Sequence, residues 1–279
     1  MSVNDNDLSL DAPSAAGALS LSVQRWQNGQ WQTPVPDHVA QEVAIAVVLN
    51  GISHTVMMAT PGSFEDFALG FAYSEGLIDH PGQLYGVDVQ VQDRGIELHL
   101  EVAAEIEWRV RERRRSLAGR TGCGLCGAES LTQVQRSLAP VASVGLPASV
   151  LVRAHEQLQQ QQTLQAITGA THAAAWVNGR GDIACLREDV GRHNALDKLI
   201  GAMLRQQISA NAGAVLITSR ASFEMVQKTV ALGAGVLAAV SAPTALAVQT
   251  AQAANLCLAG FVRPHQLVAY SFPERLQEN

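Results

Sequence analysis

The sequence predicts an α/β protein, a layered sheet with helices on both faces, preceded by an N-terminal α+β portion. Three observations carry this. Strand-like and helix-like segments alternate through the second half of the chain, as parallel connections require. Two hairpin signals flank an amphipathic helix in the first half. The charge-free stretch from Thr229 through Val262 is Ala-rich and broken by Gly233, Gly235 and Pro243, which suits a buried strand, helix and strand.

At 279 residues the chain can bury a substantial core as one large domain or two modest ones. A net charge of −6 argues against a nucleic-acid binder working by bulk electrostatics. No membrane span is expected, because Gln249, Gln252 and Asn255 recur at the three-residue spacing of a helix's polar edge. The opening "MSVNDNDLSLDAPSAAGALS" lacks the basic and apolar regions of a signal peptide. A flexible tail over 1–38 and a cytoplasmic location follow as expectations.

Within the α+β portion, 39–120, "EVAIAVVLNGISHTVMMAT" reads as two strands joined at Asn50-Gly51. Ser63 suits the N-cap of a helix whose apolar face is Phe64, Phe67, Ala68 and Phe71, with Glu65 and Asp66 at its positive end. "LYGVDVQVQDRGIELHLEV" alternates around Asp93-Arg94-Gly95 as a second hairpin. An arginine run, Arg109, Arg111, Arg113, Arg114 and Arg115, closes the portion; it suits either a solvated helix surface or an anion site.

Residues 121–279 begin with a cysteine loop. Helical patterns near 129–137 and 150–166, including the polar tract Gln159–Gln162, lead to a hairpin tipped by Asn178–Asp182. A helix at about 191–205, strand "AVLITS", a helix from Ser222, strand "VLAAVS", a helix from Thr244, strand "LCLAGFV" and a short strand near "LVAY" complete the order. Ligands of such sheets sit beyond the carboxyl ends of the strands.

The chemistry gathers in a few places. "RTGCGLCG", Arg120 to Gly127, holds Cys123 and Cys126 between glycines. Structural zinc needs four ligands and this motif supplies two. Cys185 and Cys257 lie in apolar strand patterns, as small buried hydrophobes would. The glycine-flanked context suits a moving loop better than a redox elbow at a strand–helix junction. An ordinary thiol is about 3% thiolate at neutral pH, and a drop of about 1.5 units brings it to about half. Neighbouring arginines would produce such a drop. Zinc, dithiol exchange and sulfur carriage all remain open on these residues alone.

Three strand ends supply further candidates. In "REDVGRHNALDK" a strand ends at Asp189, Gly191 turns, and Arg192, His193, Asn194, Asp197 and Lys198 crowd the following helix. Free N–H groups and Arg192 there favour an anion. "TSRASFEMVQK" repeats the pattern with Ser219, Arg220 and Ser222, while Glu224 and Lys228 stand four apart as in a helical ion pair. "GFVRPHQ" ends another strand with Arg263 and His265.

Taken in order, "RTGCGLCG", "EDVGRHNALDK", "SRASFEMVQK", "VLAAVSAPTALAV" and "GFVRPHQ" resemble the formate dehydrogenase accessory sulfurtransferases, the FdhD/NarQ family, over nearly the whole chain after the tail. The resemblance implies a cytidine-deaminase-like fold, a homodimer, and a sulfur carrier. A cysteine desulfurase would load a persulfide on Cys123, assisted by Cys126. The sulfur would pass to the molybdenum of Mo-bis(molybdopterin guanine dinucleotide), carried as cargo for the formate dehydrogenase apoprotein. Phe261, Val262, Arg263, Pro264, His265 and Gln266 would contact that cofactor's guanine-nucleotide part. Arg192, His193 and Arg220 would join them from the neighbouring strand ends. Thr218-Ser219-Arg220 stands where the family has Ser-Gly-Arg. No resident metal is expected; the alternative is a cofactor-binding chaperone without thiol chemistry. A zinc deaminase would need H-x-E and later P-C-x-x-C. His99-Leu100-Glu101 lies on the polar face of a strand pattern, and Gly122 precedes Cys123, so both halves of that signature fail.

Overall fold

The computed structural model describes residues 17–118 and 139–278, with side chains omitted for 112–118. Strands β1 (Ala18–Val23) and β4 (Val35–Ala40) pair antiparallel into a ribbon, with β2 (Trp26–Gln27) and β3 (Gln30–Trp31) forming a smaller pair at its tip. Much of the tail expected over 1–38 is therefore β-structure. Its alternation, Leu19, Leu21, Val23, faces mostly solvent, so no run of buried residues marked it.

The α+β portion is a four-stranded sheet in the order β6-β5-β8-β7. Its members are β5 (Val43–Leu49), β6 (Ile52–Ala59), β7 (Leu84–Gln92) and β8 (Gly95–Val102). Asn50 and Gly51 take positive φ, 45° and 78°, as the two-residue turn between β5 and β6 requires. The Asn50 side chain then clamps Val102, accepting from its N–H and donating to its carbonyl, at 2.9 and 3.0 Å. Helices α1 (Phe64–Ser74) and α2 (Ala104–Ala118) complete this portion. Phe67 and Phe71 of α1 and Ile106 of α2 join Ile45, Val47, Leu98 and Leu100 in its core. Ser63 precedes α1 as expected, but in a left-handed conformation with no side-chain cap.

The second part is a six-stranded sheet in the order β10-β9-β11-β12-β13-β14. It comprises β9 (His172–Asn178), β10 (Ile183–Asp189), β11 (Gly213–Ile217), β12 (Val236–Ala239), β13 (Cys257–Arg263) and β14 (Gln266–Ser271). The three central strands run parallel, and hairpin partners flank them antiparallel. Alternation along β11 feeds two cores: Val215 and Ile217 on one face, Ala214 and Leu216 on the other. Helices α5 (Arg192–Arg205), α6 (Phe223–Leu232) and α7 (Ala245–Ala253) supply the first core, and α3 (Ala148–Gln161) the second. Short α4 (Thr163–Thr168) follows α3. The expected helix over 150–166 is thus two helices, divided at Gln162. Thr244 caps α7 by accepting from the Ala247 N–H at 3.2 Å. The mixed sheet with helices on both faces matches the sequence expectation.

The two parts join through α1 and α5, which cross backbone against backbone. A Cβ on Gly70 would fall 1.7 Å from the Asp197 carbonyl oxygen, and one on Gly201 would fall 1.8 Å from that of Asp66. Only glycine permits so close an approach.

Candidate functional site

Several strand ends meet along one edge of the six-stranded sheet. His172 opens β9 beside Asp189, its register partner at the end of β10. Thr218, after β11, donates its N–H to the Ala173 carbonyl, and Val240, after β12, donates its own to Ile217. The Arg263 guanidinium, ending β13, donates to the Val240 carbonyl. The edge therefore runs His172 and Asp189, Thr218, Val240, Arg263.

The residues singled out in "REDVGRHNALDK" divide at this edge. Asp189, Asn194, Asp197 and Lys198 are buried against the α+β portion. Lys198 Nζ pairs with Asp189 at 2.7 Å and donates to the Thr60 carbonyl at 2.8 Å. Asn194 donates to the Met58 carbonyl at 2.8 Å. Lys228 does not pair with Glu224 as its spacing suggested. Its Nζ lies 2.9 Å from Asp197 Oδ1 and 2.6 Å from Glu75, and Ser74 donates its hydroxyl to Asp197 at 2.6 Å. Burial would depress the Lys228 ammonium, but Asp197 and Glu75 outweigh it and hold the group above its usual range. Asp66 bridges the same seam, 2.7 Å from both Arg187 and Arg205. These polar residues fasten the two parts together, so Asn194, Asp197 and Lys198, read from the sequence as crowding a ligand site, serve the structure instead.

Arg192 and His193 remain at the edge. His193 Nε2 lies 3.0 Å from Glu224. That contact, with Ser222 adding a second, keeps the Glu224 carboxyl below its ordinary value. The Arg192 Nε is buried without a hydrogen-bond partner. Arg220 is exposed just beyond β11, in a turn where neither Thr218, Ser219 nor Arg220 takes positive φ. Serine in place of glycine is therefore tolerated there without strain.

"GFVRPHQ" forms the β13–β14 turn. Arg263 pairs with Gln266 across Pro264 and His265, and His265 has φ 65°, as the third position of a type II turn requires. Phe261 also takes positive φ, 53°, and is 40% exposed. Val262, expected among the cofactor contacts, is fully buried in the core beneath, so its side chain is not on offer.

Cys123 and Cys126, with Arg120, lie outside the described residues, as do the side chains of Arg113, Arg114 and Arg115. Of the arginine run, Arg109 pairs with Asp79 at 3.1 Å and Arg111 with Glu107 at 2.7 Å, as a solvated helix surface would. Cys185 and Cys257 are both free and buried. Burial pushes the Cys257 thiol up to about 11 and raises that of Cys185 as well. Among the described residues no cluster of three His, Cys, Asp or Glu is arranged to hold a metal, and no helix is long and apolar enough to cross a membrane. His99 lies 2.9 Å from Glu97 on β8, half-buried and remote from the edge.

Sequence reasoning missed one wall of the edge. His155, Gln162, Thr171 and His172 line a cleft of about 460 Å³ together with Thr218 and Val240. Gln162 belongs to the tract read as solvated, yet it is only 7% exposed. The signal available was His172 standing at a strand start, on the edge where ligands of such sheets sit.

Comparison with known proteins bears on the whole chain. The model of the FdhD/NarQ family matches residues 40–277. A protein of Cupriavidus necator named "Sulfur carrier protein FdhD" is 54% identical over 272 residues, covering 95% of this chain and 94% of that one. A protein of Bordetella bronchiseptica with the same name is 52% identical over 260 residues, 92% of this chain and 94% of that one. The crystal structure of a formate dehydrogenase accessory protein from Desulfotalea psychrophila superposes with a TM-score of 0.73 at 23% identity, covering 93% of this chain and 99% of the other. At that identity the match speaks to the fold.

Proposed function

The chain belongs to the FdhD/NarQ family, and from that premise we propose that it is a sulfur carrier acting through Cys123. The observation that carries the reading is the division of the four cysteines. Cys185 and Cys257 are sealed in strands with thiols raised by burial, so thiol chemistry falls to Cys123 and Cys126.

In the first step the Cys123 thiolate attacks the outer sulfur of a cysteine desulfurase persulfide. A sulfur–sulfur bond forms on Cys123 as the desulfurase sulfur–sulfur bond breaks, and the desulfurase thiolate leaves. One sulfane sulfur moves with no net redox change. In the second step the Cys126 thiol attacks the inner sulfur of the Cys123 persulfide. A Cys123–Cys126 disulfide forms and the outer sulfur departs as hydrosulfide, which takes up the two electrons and becomes the ligand of the cofactor's molybdenum. A dithiol reductant then restores both thiols. Mo-bis(molybdopterin guanine dinucleotide) is cargo in this scheme, held at the sheet edge by Arg192, Arg220 and Arg263 with His193, Phe261 and the exposed turn Pro264–Gln266. The guanidiniums suit its phosphates. The sulfurated cofactor serves a formate dehydrogenase apoprotein, and the carrier works as a cytoplasmic homodimer.

The test is peptide mass spectrometry after incubation with a cysteine desulfurase and cysteine, without reductant. One added sulfur on the peptide bearing Cys123, absent in Cys123→Ala, is expected. If no sulfur is added while guanine nucleotide still binds, the protein is a passive cofactor chaperone and the carrier reading fails.

A further inference from the structure

We propose that the outer face of α2, centred on Trp108 with Arg109 and Arg111 on either side, is where the protein that donates sulfur docks. The proposal rests on the carrier reading above and deepens it by giving the donor a surface. The donor's matching surface is acidic, with an apolar pocket for the indole.

The placing of Trp108 is the first argument. Ile106 and Val110 of α2 are buried in the core of the α+β portion. At about 3.6 residues per turn, Trp108 lies on the opposite side of the helix from both. It is 65% exposed, at the crest of the helix, where packing within the chain does not call for an indole. The helix beneath it is held in place. Glu107 accepts from the Asn50 side chain at 3.0 Å, and Arg109 donates to Asp79 at 3.1 Å. A large side chain on a fixed helix orders little on binding, and tryptophan and arginine are the residues that most often carry interface energy.

Charge sets the chemistry of the partner. The chain carries −6 overall, yet residues 113–128 hold Arg113, Arg114, Arg115 and Arg120 and no carboxylate. Arg109 and Arg111 extend this positive stretch back along α2 to Trp108. Both are paired, with Asp79 and Glu107, but these are surface ion pairs and Arg111 is half-exposed. Such pairs contribute little, so the guanidiniums are free to exchange them for a partner's carboxylates. The stretch attracts an acidic partner over a distance and repels a basic one.

Position identifies that partner as the donor. Trp108 and Ala118 are ten residues apart on α2, about 15 Å along the axis. Cys123 follows Ala118 by five residues, a reach of at most about 18 Å. A standard interface covers about 800 Å² on each partner, a patch about 30 Å across. One partner seated on Trp108 therefore also covers the ground from which Cys123 takes its sulfur.

The experiment loads the full chain from two sources, a cysteine desulfurase with cysteine, and glutathione persulfide. Each passes one sulfane sulfur to the Cys123 thiolate and leaves as a thiolate, so the chemistry is the same and only the first needs a docking surface. Trp108→Ala should raise the KM of the chain as acceptor in desulfurase turnover about tenfold or more, with kcat kept. Arg111→Glu should raise it too and flatten its dependence on sodium chloride. Glutathione persulfide should load both variants at the wild-type rate. A wild-type KM in both variants overturns the docking surface. So does equal slowing with the two donors, or a change of oligomeric mass in Trp108→Ala, which would seat a second copy of the chain on α2. No loading of the wild type from either source overturns the carrier reading itself, and this proposal with it.

Discussion

Substituting Gly201 by alanine puts the contact between the two parts of the molecule under direct test. A Cβ there would lie 1.8 Å from the Asp66 carbonyl oxygen and 2.6 Å from its carbon, both backbone atoms of α1. An ordinary carbon–oxygen approach is about 3.3 Å, so the helices must separate by about 1.5 Å. Overpacking of this kind costs about 1–3 kcal/mol. Separation also strains the Arg205–Asp66 ion pair, which spans the same crossing at 2.7 Å. Asp66 is 4% exposed but the Arg205 side chain is half exposed, so this contribution stays well below the cost of breaking a fully buried pair, about 3–5 kcal/mol. The expected loss is about 3 kcal/mol. With an m-value of about 3 kcal/mol/M, the urea midpoint should fall by about 1 M. Gly145→Ala is the matched control, since its Cβ would meet nothing nearer than the Arg275 carbonyl oxygen at 3.9 Å. It should change stability by less than about 0.5 kcal/mol. Equal urea midpoints for Gly201→Ala and Gly145→Ala would refute the reasoning, because backbone contact would then not limit the crossing.

Other expectations concern charge and thiols. Lys228→Met strands the buried Asp197 carboxylate and should cost about 3–5 kcal/mol, while Lys228→Met with Asp197→Asn should recover much of it; a double-mutant cycle by urea unfolding measures the coupling. Because burial lowers the pKa of His155 and His172 from 6.5, the unfolded chain binds protons there before the folded chain does. Stability contributed by their neutral forms is present above about pH 6.5 and lost as pH falls through the lower folded values. Melting temperature should therefore drop as pH falls below about 6.5, less steeply in His155→Leu, and an unchanged slope in that variant would remove His155 as a source. With its thiol near 11, Cys257 is about 0.03% thiolate at pH 7.5, so iodoacetamide should leave it, and buried Cys185, unmodified until urea is added. Labelling of either in the native protein, read by peptide mass, would contradict their burial.

The six-stranded half was legible because its signals are local. Gly, Asn and Thr at turns and caps, and apolar runs of strand length, place each element without reference to distant residues. The site was less legible for a physical reason that the helix at Arg192–Arg205 illustrates. A polar residue off the apolar stripe of a helix suits a ligand and suits a second layer of protein equally well. Arg192 and His193 face the sheet edge, whereas Asp197 and Lys198, one turn on, face the α+β portion. The partner of Lys198, the Thr60 carbonyl, lies 138 residues away in sequence. No spacing within "REDVGRHNALDK" records that distance. The converse holds for Gln162, whose glutamine-rich neighbourhood looks solvated but whose position between two helices turns it into the cleft. In both cases burial of a polar side chain is decided by whichever surface docks on it; for the Arg192–Arg205 helix the α1–α5 crossing does the docking. The Gly70–Gly201 contact brings the α+β portion so close that it consumes the second turn of the Arg192–Arg205 helix and leaves Arg192 and His193 at the sheet edge.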